Sequence, residues 1–190
     1  MKKLPNLDFR FFKFLWLTLI IVGLNGAAFS ATFTVTKTAD TSDNVCDADC
    51  SLREAVAAAN AAASDDVINF DAIAFATTQT ITLVNGQLII SHNSNLSIDG
   101  TGANLLTISG NNANSVFFIQ SSAIVVINDL KISDGKILGN GNGGGIANLG
   151  GTVTINNSII SNNSTNLEAW HSAQPATSRL LMLSFPNGQS

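Results

Sequence analysis

The sequence predicts an all-β solenoid of about three or four stacked coils, preceded by a short capping α-helix. Three observations carry this expectation. Between residues 80 and 165 short apolar runs alternate with turn-forming residues. Three of those runs align with one another, and nothing between them is long or periodic enough to be a crossover helix, which excludes a doubly wound sheet. Composition agrees. Asn (22), Ser (19) and Thr (16) supply 57 of 190 positions, whereas only 12% of residues are charged and Glu occurs twice. Uncharged polarity of this kind suits turns and ladders and excludes a long-helix or coiled-coil protein. A hydrophobic content of 45% excludes wholesale disorder.

Residues 1–30 read as a secretory leader. Lys2, Lys3, Arg10 and Lys13 form a positive region diluted by Asp8, and the apolar stretch 14–24 follows. That stretch is too short for a bilayer-spanning helix, which takes roughly 20 residues. Ala28-Phe29-Ser30 places small residues three apart and predicts cleavage after Ser30. The alternative is an uncleaved anchor lengthened by Phe9, Phe11 and Phe12; Lys13 interrupts it. No later stretch approaches membrane-spanning length, so no transmembrane segment is expected once the leader is removed.

The formal charge of the whole chain is -4; beyond residue 30 five basic residues face twelve acids, a formal -7. A basic nucleic-acid interface is excluded on that balance, and an acidic surface repels anionic lipid as well. Asp40, Asp43, Asp47, Asp49, Glu54, Asp65, Asp66 and Asp71 lie in one block opposed by Arg53. The first four are a weak calcium candidate, since Ca²⁺ takes 6–8 oxygens. The spacing lacks the turn glycine and twelfth-position Glu of an EF-hand. No other cofactor is implied.

Cys46 and Cys50 are the only cysteines. In an exported chain they predict a structural disulfide. The intervening Asp-Ala-Asp is not the two-residue spacer of a redox motif, and two cysteines cannot complete a four-ligand zinc site. Ser51-Leu52-Arg53-Glu54 is a capping-box pattern, with Ser51 as N-cap and Glu54 reaching back. The alanine-rich run that follows predicts a helix over 52–63, with Leu52, Ala55, Val56 and Ala59 on one face. So short a helix must dock on something.

Cys50-Ser51-Leu52-Arg53-Glu54-Ala55, followed by Val56 and Asn60, resembles the N-terminal signature of the bacterial exported proteins called CSLREA-domain proteins; Cys46, Asp40 and Asp47 sit where that family carries a cysteine and acids. The resemblance covers about residues 31–70. It implies that the cap, taken here as 31–79, continues into a right-handed parallel β-helix.

The residues from 80 to 165 support that continuation. Apolar runs fall at 81–84, 88–90, 96–98, 105–108, 116–119, 124–127, 130–132, 153–155 and 159–160. Leu106-Thr107-Ile108-Ser109-Gly110-Asn111 aligns with Leu130-Lys131-Ile132-Ser133-Asp134-Gly135 and with Ser158-Ile159-Ile160-Ser161-Asn162-Asn163; the isoleucines are 24 and 28 apart. Strands that hold register while turns vary in length give such offsets. Ile108, Ile132 and Ile160 are therefore expected in one interior column.

Gly143-Gly144-Gly145-Ile146-Ala147-Asn148 resembles, with Ile160-Ser161-Asn162-Asn163, the repeat of chlamydial polymorphic outer-membrane proteins. The run predicts a tight solenoid turn, favoured by Ile146 and the strands on both sides; the alternative is a flexible linker. A phosphate loop is excluded because no helix follows.

Parallel β-helices include polysaccharide lyases and hydrolases, whose chemistry needs clustered or paired carboxylates. Asp99, Asp129, Asp134, Lys131 and Lys136 show no aligned acid pair and read as outward-facing, solvated residues; His92 reads as a turn residue. After residue 165 the rhythm stops. Residues 166–190 are expected to be either a C-terminal cap or a frame-broken end of a longer chain. The functional expectation is an exported, non-catalytic, surface or adhesin-like module, secreted or outer-surface associated, whose partner would be a cell-surface glycan or protein. The alternatives are a fragment of a polysaccharide-active β-helix and a non-functional gene remnant.

Overall fold

The computed structural model of the protein describes residues 30–91, 94–137 and 143–165. Residues 1–29, where a leader is expected, His92, and the segment 166–190 expected as a cap or broken end lie outside the described residues.

Fourteen strands and one helix follow one another among the described residues. They are β1 (Thr32–Val35), α1 (Leu52–Ala61), β2 (Asp66–Phe70), β3 (Gln79–Thr82), β4 (Leu88–Ile90), β5 (Asn95–Asp99), β6 (Leu106–Ser109), β7 (Phe117–Ile119), β8 (Ile124–Asn128), β9 (Lys131–Ser133), β10 (Lys136–Ile137), β11 (Ile146–Asn148), β12 (Thr152–Asn156), β13 (Ile159–Ser161) and β14 (Ser164–Thr165). Every strand pairing is parallel. Three sheets result, ordered β1-β2-β5-β8-β12, β3-β6-β9-β13 and β4-β7-β11, with β10-β14 as a fourth, two-stranded pair. Each circuit visits the three main sheets in turn, so the chain winds a parallel β-solenoid of three turns with β12 and β13 opening a fourth. The stack starts at Asp66, inside the segment assigned to the cap from sequence. β1 lies beneath it as an extra rung of the first sheet.

Alternation along each strand explains the core. In the first sheet Ile68, Ile98 and Ile127 stack in register and are fully buried, while Ile155 above them is 38% exposed. The second sheet repeats this with Ile81, Ile108, Ile132 and Ile160. Ile108 and Ile132 are fully buried, but Ile160 is 38% exposed, so the expected interior column reaches the rim of the stack there. Its register is that of the column, and its environment is half that of the solvent.

Asparagine abundance has a backbone cause. Asp129, Asp134, Asn157 and Asn162 all turn corners at positive φ, between 49° and 54° for the first three and 56° for Asn162. Asn and Asp tolerate this left-handed region better than other side-chain-bearing residues. The glycine run works by close approach. A Cβ on Gly144 would lie 2.4 Å from the Ser164 carbonyl oxygen, and one on Gly135 would lie 2.0 Å from the Gly144 oxygen. The turn ends at Gly145. Ile146 and Asn148, expected within it, belong to strand β11 against β7.

Candidate functional site

Two places gather the polar side chains: the N-terminal cap and the outer faces of the coils. The cap is built on the helix. Ser51, in extended conformation, accepts from the Glu54 backbone N–H at 3.1 Å, and Glu54 Oε2 accepts from the Ser51 N–H at 2.7 Å, closing the capping box. Cys46 and Cys50 form a disulfide. The helix buries Leu52, Ala55, Val56 and Ala59 against β1, β2 and β4. It stops at Ala61, two residues short of the expected end, because Ala62 turns to extended backbone and its N–H bonds back to the Ala59 oxygen.

Each residue of the Cys50–Ala55 motif thereby has a structural task. Arg53 grips Asp40 with two bonds, Nε to Oδ1 at 2.7 Å and Nη2 to Oδ2 at 3.0 Å. It also donates to the carbonyls of Gly86 and Gln87 in the β3–β4 loop, at 2.6 and 3.3 Å. Asp40, only 5% exposed, accepts in addition from the backbone N–H groups of Val84 and Asn85, at 2.8 Å each. Asn60 reaches the edge of the third sheet, donating to the Ile89 oxygen at 2.8 Å and accepting from the Ser91 N–H at 2.9 Å. It satisfies backbone groups that a neighbouring strand would otherwise take.

Glu54 is 2% exposed. Burial alone pushes its carboxyl up, but the backbone N–H groups of Ser51 and Asp43, the Ser51 hydroxyl and the Lys37 charge outweigh burial and hold it below its usual 4.5. Lys37 lies 2.9 Å from Asp49 and 3.8 Å from Glu54; the hydrogen bond to Asp49 is the largest influence raising its ammonium. A carboxyl depressed on folding stabilises the native state above its unfolded value, and the gain disappears as pH falls through the folded value. Thermal stability is therefore expected to fall as pH drops below about 4.5, the reference value for Glu54. Glu54→Gln should flatten that limb while lowering stability at pH 7. Melting curves of both proteins between acid and neutral pH check this.

The calcium expectation is not supported by the geometry. Asp40 is committed to Arg53, Asp43 Oδ1 accepts from the Val45 N–H, and Asp47 Oδ1 accepts from the Asp49 N–H. Among the described residues no group of three or more His, Cys, Asp or Glu side chains is placed to hold a metal ion.

On the outside of the first sheet Asn69, Asp99, Asn128 and Asn156 stack in register. Asp99 Oδ1 accepts from Asn128 Nδ2 and from the Ser97 hydroxyl, both at 2.6 Å, and Asn128 Oδ1 accepts from Asn156 Nδ2 at 2.9 Å. On the second sheet Asp134 Oδ2 accepts from the hydroxyls of Ser133 at 2.7 Å and Ser109 at 3.3 Å. These acids and Asp129, Lys131 and Lys136 are half-buried. Asp99 and Asp134 are held by neighbours on adjacent coils instead of standing free in solvent. Lys131 lies between Thr107 and Ile159. The structure brings no two of these carboxylates together as a register pair. What sequence reasoning missed is the ladder itself: the aligned motif followed only the second sheet, and the first-sheet asparagines sit at offsets it did not track.

Among the described residues no helix is long and apolar enough to cross a membrane. Comparison with protein-family models, with curated proteins and with solved structures gives no match. What stands is the class: a parallel β-solenoid with a helical N-terminal cap.

Proposed function

We propose that the chain is an exported, non-catalytic surface module of the CSLREA type, whose solenoid offers its outer faces to a cell-surface glycan or protein. The carrying observation is the use to which charge is put. Asp40, Arg53, Glu54 and Lys37 are consumed in the cap, and Asp99 and Asp134 are consumed in inter-coil hydrogen bonds. Hydrolysis or β-elimination on a polysaccharide needs an acid and a base free to exchange protons with substrate. The leader-like residues 1–30, the disulfide and the motif-built cap support export and the family reading. Outer columns of Asn, Ser and Thr supply uncharged donors and acceptors suited to hydroxyl-rich or backbone partners.

The purified protein incubated with polygalacturonate, with and without Ca²⁺, is expected to release neither unsaturated uronides nor reducing ends. Either product would establish the alternative, a polysaccharide-active β-helix. Retention of the protein on immobilised glycans or on intact cells of its own source supports the binding role.

A further inference from the structure

Asp66 occupies an interior position of the first coil. It alternates with Ile68 and Phe70 along β2 and stacks beneath Leu96, yet it carries a carboxylate and is 2% exposed. Its Oδ1 accepts from the Ser64 hydroxyl at 2.8 Å and from the Ala31 backbone nitrogen at 2.9 Å. Its Oδ2 is buried without a hydrogen-bond partner. No lysine or arginine among the described residues pairs with it; the cations that form ion pairs there are Lys37 and Arg53, both in the cap. A buried carboxyl group with one oxygen accepting two hydrogen bonds and the other accepting none is an arrangement that costs stability.

The group against it is the nitrogen that leader removal would free. Cleavage after Ser30, the position that Ala28 and Ser30 mark, makes Ala31 the first residue. We propose that the Ser30–Ala31 bond is a processing site whose new α-ammonium pairs with Asp66, so that removing the leader completes the first coil. The step is a hydrolysis by a leader peptidase. Water adds across the bond between the Ser30 carbonyl carbon and the Ala31 nitrogen, leaving a carboxylate on Ser30 and an ammonium on Ala31. One amide N–H becomes three N–H donors bearing a positive charge, enough to keep the Oδ1 bond and reach Oδ2. The α-amine, with an ordinary value near 8, is charged at neutral pH. Ala31 is already fixed at that spot, because its carbonyl accepts from the Val67 N–H at 2.9 Å. The preprotein leaves Oδ2 without a partner, and the mature chain sets an ammonium against it.

This inference rests on the export reading, and its test separates the two. The gene is expressed with its own leader, and the N-terminus of the exported protein is read by intact mass. Protein retained in the cell with residues 1–30 attached overturns the export reading and the inference with it, whereas an exported chain starting anywhere but Ala31 overturns the processing site and the pairing alone. Where it starts at Ala31, a variant with Gly-Gln inserted between Ser30 and Ala31 moves the ammonium away after cleavage, because Gln directly before Ala31 removes the small residue that a second cut there would need. Its melting temperature is expected to fall by roughly 5–10 °C. In an Asp66→Asn background the same insertion should change it by less than about 2 °C. Equal losses in both backgrounds overturn the pairing while leaving the processing site intact. Should Asp66→Asn not fold, acetylation of the α-amine decides. At neutral pH the folded wild type is expected to react about tenfold more slowly than the Gly-Gln variant, one unit of proton affinity being a factor of ten. Equal rates overturn the proposal.

Discussion

Asp40→Ala is expected to lower stability by about 3–5 kcal/mol, the range for removing one partner of a buried ion pair. The helix and the β3–β4 loop lose a shared anchor at once. Arg53 on the helix keeps only carbonyl acceptors, and the Val84 and Asn85 N–H groups lose the oxygen they both use. The neighbouring Asp43→Ala and Asp47→Ala remove a single local turn bond each and are expected to cost less than about 1 kcal/mol. Denaturant titrations of the three variants check the contrast. Similar losses in all three would return the acid-rich segment to an undifferentiated charged loop.

Ile108→Ala should cost about 3–4 kcal/mol, as expected for a large aliphatic side chain removed from a site that cannot collapse. Ile108 is fully buried, with Ile81 below and Ile132 above it in register. The same change at Ile160, 38% exposed at the rim, is expected to cost about 1 kcal/mol. Midpoints in urea at constant slope measure both. Equal effects would mean that the rim is covered as well as the middle.

How much of this was legible in the sequence depends on separation along the chain. Successive residues of the capping box and of the apolar helical stripe lie within four positions of each other, and alternation in the second sheet repeats with nearly constant neighbours, so both can be read locally. The end of the helix is not marked: alanines continue through Ala62 and Ala63, and only the turn to extended backbone stops it. Ile81 joins the isoleucine column but is followed by Thr82 where its partners are followed by Ser109, Ser133 and Ser161, and escapes alignment by motif. The Asp40–Arg53 grip joins residues 13 apart across the irregular loop of the cap, and the Asn69–Asp99–Asn128–Asn156 ladder joins residues brought together by winding alone. Asp66 could have been singled out. Asp-Val-Ile-Asn-Phe alternates with period two, which puts the aspartate on the same face as the isoleucine and the phenylalanine. Charge counting placed it in the acidic block, where its parity was lost.

The one-sided construction of the stack also dictates an order of assembly. Within the three main sheets, each strand pairs with the strand one circuit before it, and the first circuit rests on β1 and the helix. A coil that forms without its predecessor must pay the closure of a long loop with no partner strand to reward it. The cap therefore acts as a seed, and winding advances from it like a ratchet, one circuit at a time. Amide exchange should record that history as a slope: slowest protons in β2, β5 and β6, fastest in β12 and β13, with opening that proceeds from the last circuit backwards.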